Sequence, residues 1–511
     1  MSNIKPAESN FPGRPLFPWD YRSSEATKKS ETYLTRWGPF FAWVLVGAIF
    51  LTAATRRSLS LDEAATLGFI QADPLEAANV LLRSYDGVHA AYYFLVRPFS
   101  FAPLEVIRAV SGIAMATATY FLMRLGSFFG SRRTAVAAAL AFVVLPLTLE
   151  ASATARPFAV GTMFVVWSWY LLIGMLTQAK PASPLVISYV LITSLSMIFF
   201  LLSFFSLVAQ IVVVAAMSAS LRRRRHIWLS QFMSLAFASP VLFISLLQRG
   251  QVAGTSTFSL GALGDSVTYF FGYGLFGIGG IPASYRWIIA TAYIALAIYA
   301  LLVGRDRNPA FPLFRAAAIS WLVIPIASLI VASAFFPLLA PRYLVYVTPA
   351  LALIVGYGIS QFQAIPARVG LAAGWLVLAT INFTLLLTPA GVDSWGDKSH
   401  ILRANIKEED VVIFAPDLYR LVANESGLAL PTVISQAELS SGFLQASFSQ
   451  SDARVWVVPY VQTDLLEGSS KWIPTYLESE GYSPCQPFRT ASGSVLVFTQ
   501  RTSDCPVVPD R

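Results

Sequence analysis

Acidic and basic side chains that could do chemistry gather in one polar segment, residues 56–104, directly after the first hydrophobic stretch. The run SLDEAATLGF places Asp62 beside Glu63, and the run DGVHAAYYF places Asp86 three residues before His89. A carboxylate held beside a substrate hydroxyl can accept its proton, so these acids are candidate general bases.

The acidic pair and the histidine also have a structural interpretation. Ser60 precedes Glu63 by three residues and an apolar run follows, which is the pattern of a helix-capping box. His89 could be a hydrogen-bonded residue at the membrane interface. We therefore predict Asp62 and Glu63 as catalytic residues, with a helix N-terminus as the alternative.

Arginines accompany the acids. They are Arg56, Arg57, Arg83 and Arg97 in the polar segment, and Arg156 in ATARPF and Arg342 in APRYL at the ends of later hydrophobic stretches. Guanidinium groups bind phosphate through paired hydrogen bonds, so arginines on the outer side of a membrane predict a site for an anionic lipid headgroup. Snorkelling towards the membrane interface is the alternative.

The composition shows that a membrane must position these residues. Of the 511 residues, 56% are hydrophobic and 13% charged, whereas soluble domains carry roughly 25% charged residues. A water-soluble enzyme and a disordered chain are excluded, and a polytopic α-helical membrane protein is predicted. The net charge of +8 reflects basic residues that flank hydrophobic stretches, and no basic run interleaved with aromatics predicts nucleic-acid binding.

Eleven hydrophobic stretches approach the length of roughly 20 residues that a transmembrane helix needs. They lie near residues 39–55, 105–127, 134–150, 155–176, 184–202, 204–220, 227–247, 286–304, 315–336, 343–361 and 367–388. The apolar stretch 266–282 is short and rich in glycine, so we predict an interfacial or re-entrant segment there.

The distribution of lysine and arginine predicts the orientation in the plasma membrane. Residues 1–38 carry six Lys/Arg and are expected to be a cytoplasmic N-terminal tail, followed by an uncleaved first span. Residues 39–388 then form the transmembrane domain, with 56–104 as its first, catalytic outer loop. Residues 389–511 are expected outside.

The segment 389–511 has a mixed composition and predicts a small extracytoplasmic α/β domain. Strand-like runs occur at Asp410–Ala415, Arg454–Val458 and Ser494–Thr499, with helical stretches between them. The two cysteines of the chain, Cys485 and Cys505, lie in this segment and can form a disulfide if it is outside. They form no CxxC or His-rich cluster, so no metal site is predicted.

Carboxylates and arginines on the outer side of the membrane together fit sugar transfer from a polyprenyl-phosphate carrier. The acceptor hydroxyl must lose a proton as it attacks the anomeric carbon, and a carboxylate can take that proton. The departing lipid phosphate needs positive charge, which arginines supply. A single displacement inverts the anomeric configuration. Tyr92, Tyr93 and Trp395 could stack on sugar faces.

Four motifs in order, SLDEAATLGF, DGVHAAYYFLVRPF, ATARPFAV and PRYLVYVTPALALIVG, follow a single N-terminal span and resemble the GT-C superfamily of membrane glycosyltransferases. The sequence is similar to the glycosyltransferase 39-like branch, and within it to actinobacterial polyprenyl-phosphate-mannose-dependent mannosyltransferases of cell-envelope biosynthesis. The resemblance covers about residues 39–388. It implies a GT-C fold and a polyprenyl-phosphate-monosaccharide donor that is used outside the plasma membrane.

The resemblance also implies roles for individual residues. The base is Asp62 with Glu63 beside it, the substrate pocket includes Asp86 and His89, and the donor phosphate is held by Arg342 and Arg156, with Arg57 as a further phosphate ligand. No DxD motif occurs in the loop, so a divalent metal is not predicted, although Asp86 and His89 could bind one weakly.

The residues leave the sugar and the acceptor open. Mannose is the expected donor sugar and arabinose the alternative, and the acceptor could be a glycolipid, a polysaccharide or a protein. A transporter or lipid flippase is the alternative from another class, but the centres of the predicted spans carry few ionisable residues and no inverted repeat is evident. A receptor or scaffold would not need eleven spans.

Overall fold

The computed structural model describes most of the chain. The described residues are 33–56, 59–83, 86–178, 181–217, 221–248, 263, 270, 283–303, 310–336, 338–362, 366, 369–371, 373–374, 377, 395–415, 423–424, 428, 430–435, 439, 453–459, 471–490, 493–500 and 505–506. They form two compact units. The first is Met1–Thr55, Asp73–Gly274 and Pro282–Thr384, and the second is Arg56–Ala72, Leu275–Ile281 and Leu385–Arg511.

Helices make up the described part of the first unit. In chain order the helices of the two units are α1 (Tyr33–Arg56), α2 (Leu61–Gln71), α3 (Pro74–Arg83), α4 (Ala90–Val96), α5 (Leu104–Phe129), α6 (Arg132–Val144), α7 (Pro146–Ser152), α8 (Phe158–Thr177), α9 (Ser183–Phe199), α10 (Phe204–Met217), α11 (Leu221–Leu247), α12 (Ala283–Val303), α13 (Phe311–Ser333), α14 (Thr348–Gln361), α15 (Trp395–Asn405) and α16 (Trp472–Ser479). Turns of 3-10 helix lie at Gly87–His89, Arg97–Phe99, Leu201–Ser203 and Pro341–Val347.

Prolines and small polar residues set several of these boundaries. Ser131 and Thr134 form a capping box that begins α6. Pro146 lacks the amide hydrogen that a continuing helix needs, so α6 ends at Val144 and α7 leaves at an angle of 71°. Pro157 directly precedes α8.

Small residues let the helices of the first unit approach closely. A Cβ atom on Gly356 of α14 would lie 2.4 Å from the backbone nitrogen of Ala138 in α6, so only glycine fits there. Side-chain hydrogen bonds join other helices within the apolar interior. Gln210 donates to Ser168 at 2.8 Å and accepts from the Tyr189 hydroxyl at 2.6 Å. These contacts fix helices that lipid alone would not drive together.

The structure confirms a polytopic helical membrane protein. Described helices occupy ten of the eleven predicted stretches, and most of the last one, 367–388, lies outside the described residues. By length and composition five described helices could cross a membrane, or six if α6 and α7 are one bent span. Eleven spans therefore stay a prediction. The predicted re-entrant stretch 266–282 lies outside the described residues, except for Phe270.

The second unit contains a mixed sheet. Its strands are β1 (Val411–Ala415), β2 (Thr432–Ile434), β3 (Val455–Pro459), β4 (Ser483–Pro484), β5 (Phe488–Thr490) and β6 (Gly493–Thr499). The order is β2-β1-β3-β6-β4, with β5 paired to β6, and β1 runs parallel to both β2 and β3. Every residue of β1 and β3 is buried, because parallel strands have both faces covered.

The two faces of the sheet pack into two hydrophobic cores. Val411 and Ile413 point into one core, while Val412 and Phe414 point into the other, as the two-residue period of a strand requires. The second of these cores also contains Cys485, and a disulfide joins this residue to Cys505.

The predicted first outer loop is divided between the two units. The sequence places residues 56–104 together in the transmembrane domain, but the structure assigns Arg56–Ala72 to the unit that contains the C-terminal sheet. The physical reason is burial. Ala64 of α2 is fully buried in the same core as Trp395 and Leu402, and Leu59 packs against that core.

A buried ion pair supports the sheet of the second unit. The Asp410 carboxylate accepts two hydrogen bonds from the Arg454 guanidinium, at 3.0 and 2.6 Å, and one from the Trp456 indole at 3.0 Å. Asp410 is 1% exposed and Arg454 5%. Removing one charge of such a pair leaves the other buried without compensation.

We expect Asp410→Asn to destabilise the second unit by about 3 kcal/mol. Amide hydrogen exchange in β1 and β3 should then speed up roughly 100-fold, while exchange in α6 and α14 stays unchanged. Arg403→Ala, at an exposed position of α15, is the control. Exchange in β1 within twofold of the wild type would show that the pair contributes no net stability.

Candidate functional site

The first unit brings together four of the predicted site residues: Asp86, His89, Tyr93 and Arg156. Asp86 precedes the 3-10 turn Gly87–His89, and α4 continues from that turn and carries Tyr93. Arg156 enters from the break between α7 and α8. We call these four residues the carboxylate cluster.

Tyr93 is the centre of the carboxylate cluster. Its hydroxyl donates to Oδ2 of Asp86 and accepts from Nη1 of Arg156 at 2.9 Å. Nη1 of Arg156 also lies 3.7 Å from Oδ2 of Asp86, and Nε2 of His89 lies 3.7 Å from Oδ1. One phenol thus bridges a carboxylate and a guanidinium whose opposite charges attract each other directly.

The carboxylate cluster is only partly open to solvent. The side chain of Arg156 is 8% exposed, that of His89 15% and that of Asp86 22%. Because charges interact more strongly when water is excluded, this degree of burial strengthens the attraction between Arg156 and Asp86. Only Pro157 separates Arg156 from the first residue of α8. The N-terminus of that helix carries partial positive charge, which adds to the charge of the guanidinium.

A row of rings leads from the carboxylate cluster to Arg342. The His89 ring lies 6.3 Å from the Phe158 ring, which lies 6.4 Å from the Tyr343 ring. The exposed Arg342 guanidinium stands 5.7 Å from the centre of the Tyr343 ring. The ring contact between Phe158 and Tyr343 therefore joins the segments that carry the ARP and PRY motifs, which are far apart in sequence.

Tyr92 and Tyr93 are both buried in the structure. Both were expected to offer ring faces to a sugar, but Tyr92 is 0% exposed and Tyr93 3%. Tyr92 packs edge-on against Tyr93 with ring centres 6.5 Å apart. Tyr92 thus packs against the ring of Tyr93, whose hydroxyl makes the polar contacts of the carboxylate cluster. Stacking of either ring on a sugar stays a prediction.

The capping box that the sequence offers for the acidic pair is present in the second unit. The Ser60 hydroxyl accepts from the backbone amide of Glu63 at 3.3 Å, and the Glu63 carboxylate accepts from the amide and the hydroxyl of Ser60 at 3.2 and 3.1 Å. Glu63 is 0% exposed. These contacts place the Glu63 side chain in the capping box at the start of α2, and a catalytic role for Glu63 stays a prediction.

Asp62 occupies the first turn of the same helix. It is half-buried, and its backbone carbonyl accepts a hydrogen bond from the Thr66 hydroxyl at 3.1 Å. Acidic side chains in the first turn stabilise a helix through its dipole. Of the two acids, Asp62 is the one whose side chain does not form the capping box. The predicted phosphate ligand Arg57 lies outside the described residues.

Among the residues that the structure describes, no three His, Cys, Asp or Glu side chains come together as a metal site would require.

Sequence reasoning missed Gln248, whose amide contacts the backbone on both sides of Asp86. A polar residue at the end of the hydrophobic stretch 227–247 was the available signal.

Comparisons with known proteins identify the fold. No protein-family model and no curated protein matches the sequence. The structure of ArnT from Cupriavidus metallidurans bound to undecaprenyl phosphate superposes with a TM-score of 0.52 at 13% identity, over 92% of this chain and 99% of that chain. The apo structure of ArnT from the same organism gives 0.50 at 12% identity, over 93% and 100%. This likeness shows that the chain shares the fold of the ArnT structures, in agreement with the fold that the resemblance implies.

Proposed function

We propose that this protein is an inverting membrane glycosyltransferase. It moves a sugar from a polyprenyl-phosphate monosaccharide to a cell-envelope acceptor at the outer face of the plasma membrane, with mannose as the expected sugar. What supports the proposal is the packing of Phe158 against Tyr343, which joins the segments of Arg156 and Arg342, in a fold shared with a protein that binds undecaprenyl phosphate.

Arg156 and Arg342 both bind the donor phosphate in this proposal, but they differ in how their side chains are held. Arg156 is held by Tyr93 and Asp86, so its guanidinium is oriented before a ligand arrives. Arg342 is exposed and can move towards a phosphate. Together they supply positive charge at the oxygen that becomes negative as the sugar leaves.

Asp62 acts as general base in the proposed reaction. Its carboxylate takes the proton of the acceptor hydroxyl while the hydroxyl oxygen forms a bond to the anomeric carbon. The bond from that carbon to the phosphate oxygen breaks, and polyprenyl phosphate leaves with the bonding electrons. One displacement of this kind inverts the configuration and needs neither a redox partner nor a covalent intermediate.

A transfer assay tests the proposed function. Purified protein in nanodiscs is supplied with radiolabelled polyprenyl-phosphate mannose or, separately, polyprenyl-phosphate arabinose, and with a membrane glycolipid extract as acceptor. Label should move to product from one of the two donors. No transfer from either donor by a well-folded protein would overturn the proposal and favour the transporter alternative, which a flux assay then tests.

We expect position 403 to be accessible only from outside the cell. Arg403→Cys introduces a thiol at an exposed site of the second unit, and the two native cysteines are paired with each other. A membrane-impermeant maleimide should label this variant in intact cells. Arg133→Cys, at an exposed site near the start of α6, should react only after permeabilisation. The reverse pattern would contradict the predicted topology.

A further inference from the structure

Asp86 has an unusual backbone. Its φ of 64° and ψ of 16° are left-handed, and it is the only residue other than glycine with positive φ in the described part of the chain. Aspartate tolerates this conformation better than most residues, but it persists only where neighbouring contacts impose it. The contacts that impose it here determine where the carboxylate points.

Gln248, the residue after the end of α11, supplies two of these contacts. Its side-chain oxygen accepts from the backbone amide of Gly87 at 2.9 Å, and its side-chain nitrogen donates to the carbonyl of Leu81 at 2.7 Å. Gln248 is 9% exposed, so both hydrogen bonds are shielded from water. One amide thus holds the chain before and after Asp86.

Gly87 makes this close approach possible. A Cβ atom at that position would lie 2.4 Å from the carbonyl oxygen of Leu81 and 2.7 Å from Cγ2 of Ile244. The 3-10 turn therefore packs directly against α11, with its backbone amide aimed at Gln248. A larger residue would push the turn away from the glutamine.

We infer that Gln248 is a positioning residue for the carboxylate cluster, an inference that rests on the proposed function. It contacts no reacting atom. It fixes the backbone of Asp86 so that the carboxylate meets the Tyr93 hydroxyl and the Arg156 guanidinium. If Arg156 binds the donor phosphate, Gln248 sets the affinity for the donor through Asp86.

Steady-state kinetics with the lipid-linked donor test this role. Gln248→Met keeps the volume but removes both hydrogen bonds, and we expect the KM for the donor to rise about tenfold with a smaller change in kcat. Gln248→Glu keeps an acceptor for the Gly87 amide but sets an oxygen against the Leu81 carbonyl, so it should raise KM as well. Gln361→Met, at the end of α14, is the matched control and should leave KM within about twofold of wild type.

A double-mutant cycle separates positioning from a general loss of structure. In the background of Asp86→Asn, Gln248→Met should raise KM by no more than about twofold, because the residue through which it acts is already altered. Multiplicative effects of the two substitutions, or an unchanged KM in both Gln248 variants of an active enzyme, would overturn the inference alone. Absence of transfer by folded wild-type protein would instead overturn the proposed function.

Discussion

Asp62→Asn should abolish sugar transfer and leave the fold intact. Asparagine has nearly the same shape as aspartate but cannot take a proton from the acceptor hydroxyl. Loss of a general base lowers rates by about 100-fold to 10,000-fold. The measurement is the single-turnover rate with saturating donor and acceptor, which excludes effects on substrate binding.

Glu63→Gln is the matched control for this prediction. Glutamine can also form a capping box, so α2 should begin normally and transfer should stay within a few-fold of wild type. Activity retained in Asp62→Asn but lost in Glu63→Gln would identify Glu63 as the base. Hydrogen exchange in α2 shows whether either variant has lost the helix.

The structure links Asp62 to the C-terminal part of the chain. Ala64 lies two residues after Asp62 and is buried in the same core as Trp395 and Leu402. The C-terminal part therefore holds the helix that carries the proposed base. The sequence could predict a small α/β domain for residues 389–511 but could not reveal this structural link.

Local hydrophobic patterns made much of the fold predictable. The strands β1 and β3 coincide with the apolar runs DVVIFA and RVWVV, because strands that are buried on both faces are apolar throughout. Long apolar stretches located the helices of the first unit for a similar reason. The break at Pro146 was not predicted within the stretch 134–150, although proline is the residue that causes it.

Contacts between distant residues were beyond the reach of the sequence. Gln248 and Gly87 are 161 positions apart, and neither belongs to a periodic pattern that would pair them. The side chain of Ala64 is too small to indicate which face of α2 is buried. The assignment of α2 to the second unit could therefore not be foreseen. The left-handed backbone of Asp86 depends on such contacts, and the Asp-Gly pair in the sequence indicates only that a turn lies there.

The sequence predicted which types of side chain occupy the candidate site, but it did not predict which of them contact each other. The arginines of ARP and PRY stood out because outer loops are normally poor in arginine. That Tyr93 would join Arg156 to Asp86 depended on the turn before α4 and the break before α8 meeting in space.

Arg156→Ala should lower kcat/KM for the lipid-linked donor by about 100-fold to 1,000-fold, because it removes a preorganised charge from the departing phosphate. It also leaves Asp86 without its guanidinium partner. Arg156→Lys keeps a positive charge but loses the planar fork that binds phosphate with two hydrogen bonds, so an intermediate loss is expected. Initial rates at varied donor concentration give both values.

The exposed Arg342 should matter less than Arg156, because water screens its charge. Arg342→Ala should therefore raise the KM for the donor and change kcat little. Arg133→Ala, on the opposite side in the predicted topology, is the control for loss of one arginine. If Arg156→Ala and Arg133→Ala gave the same donor KM and the same kcat, the phosphate would bind elsewhere, and the carboxylate cluster would serve only to join α4 to the start of α8.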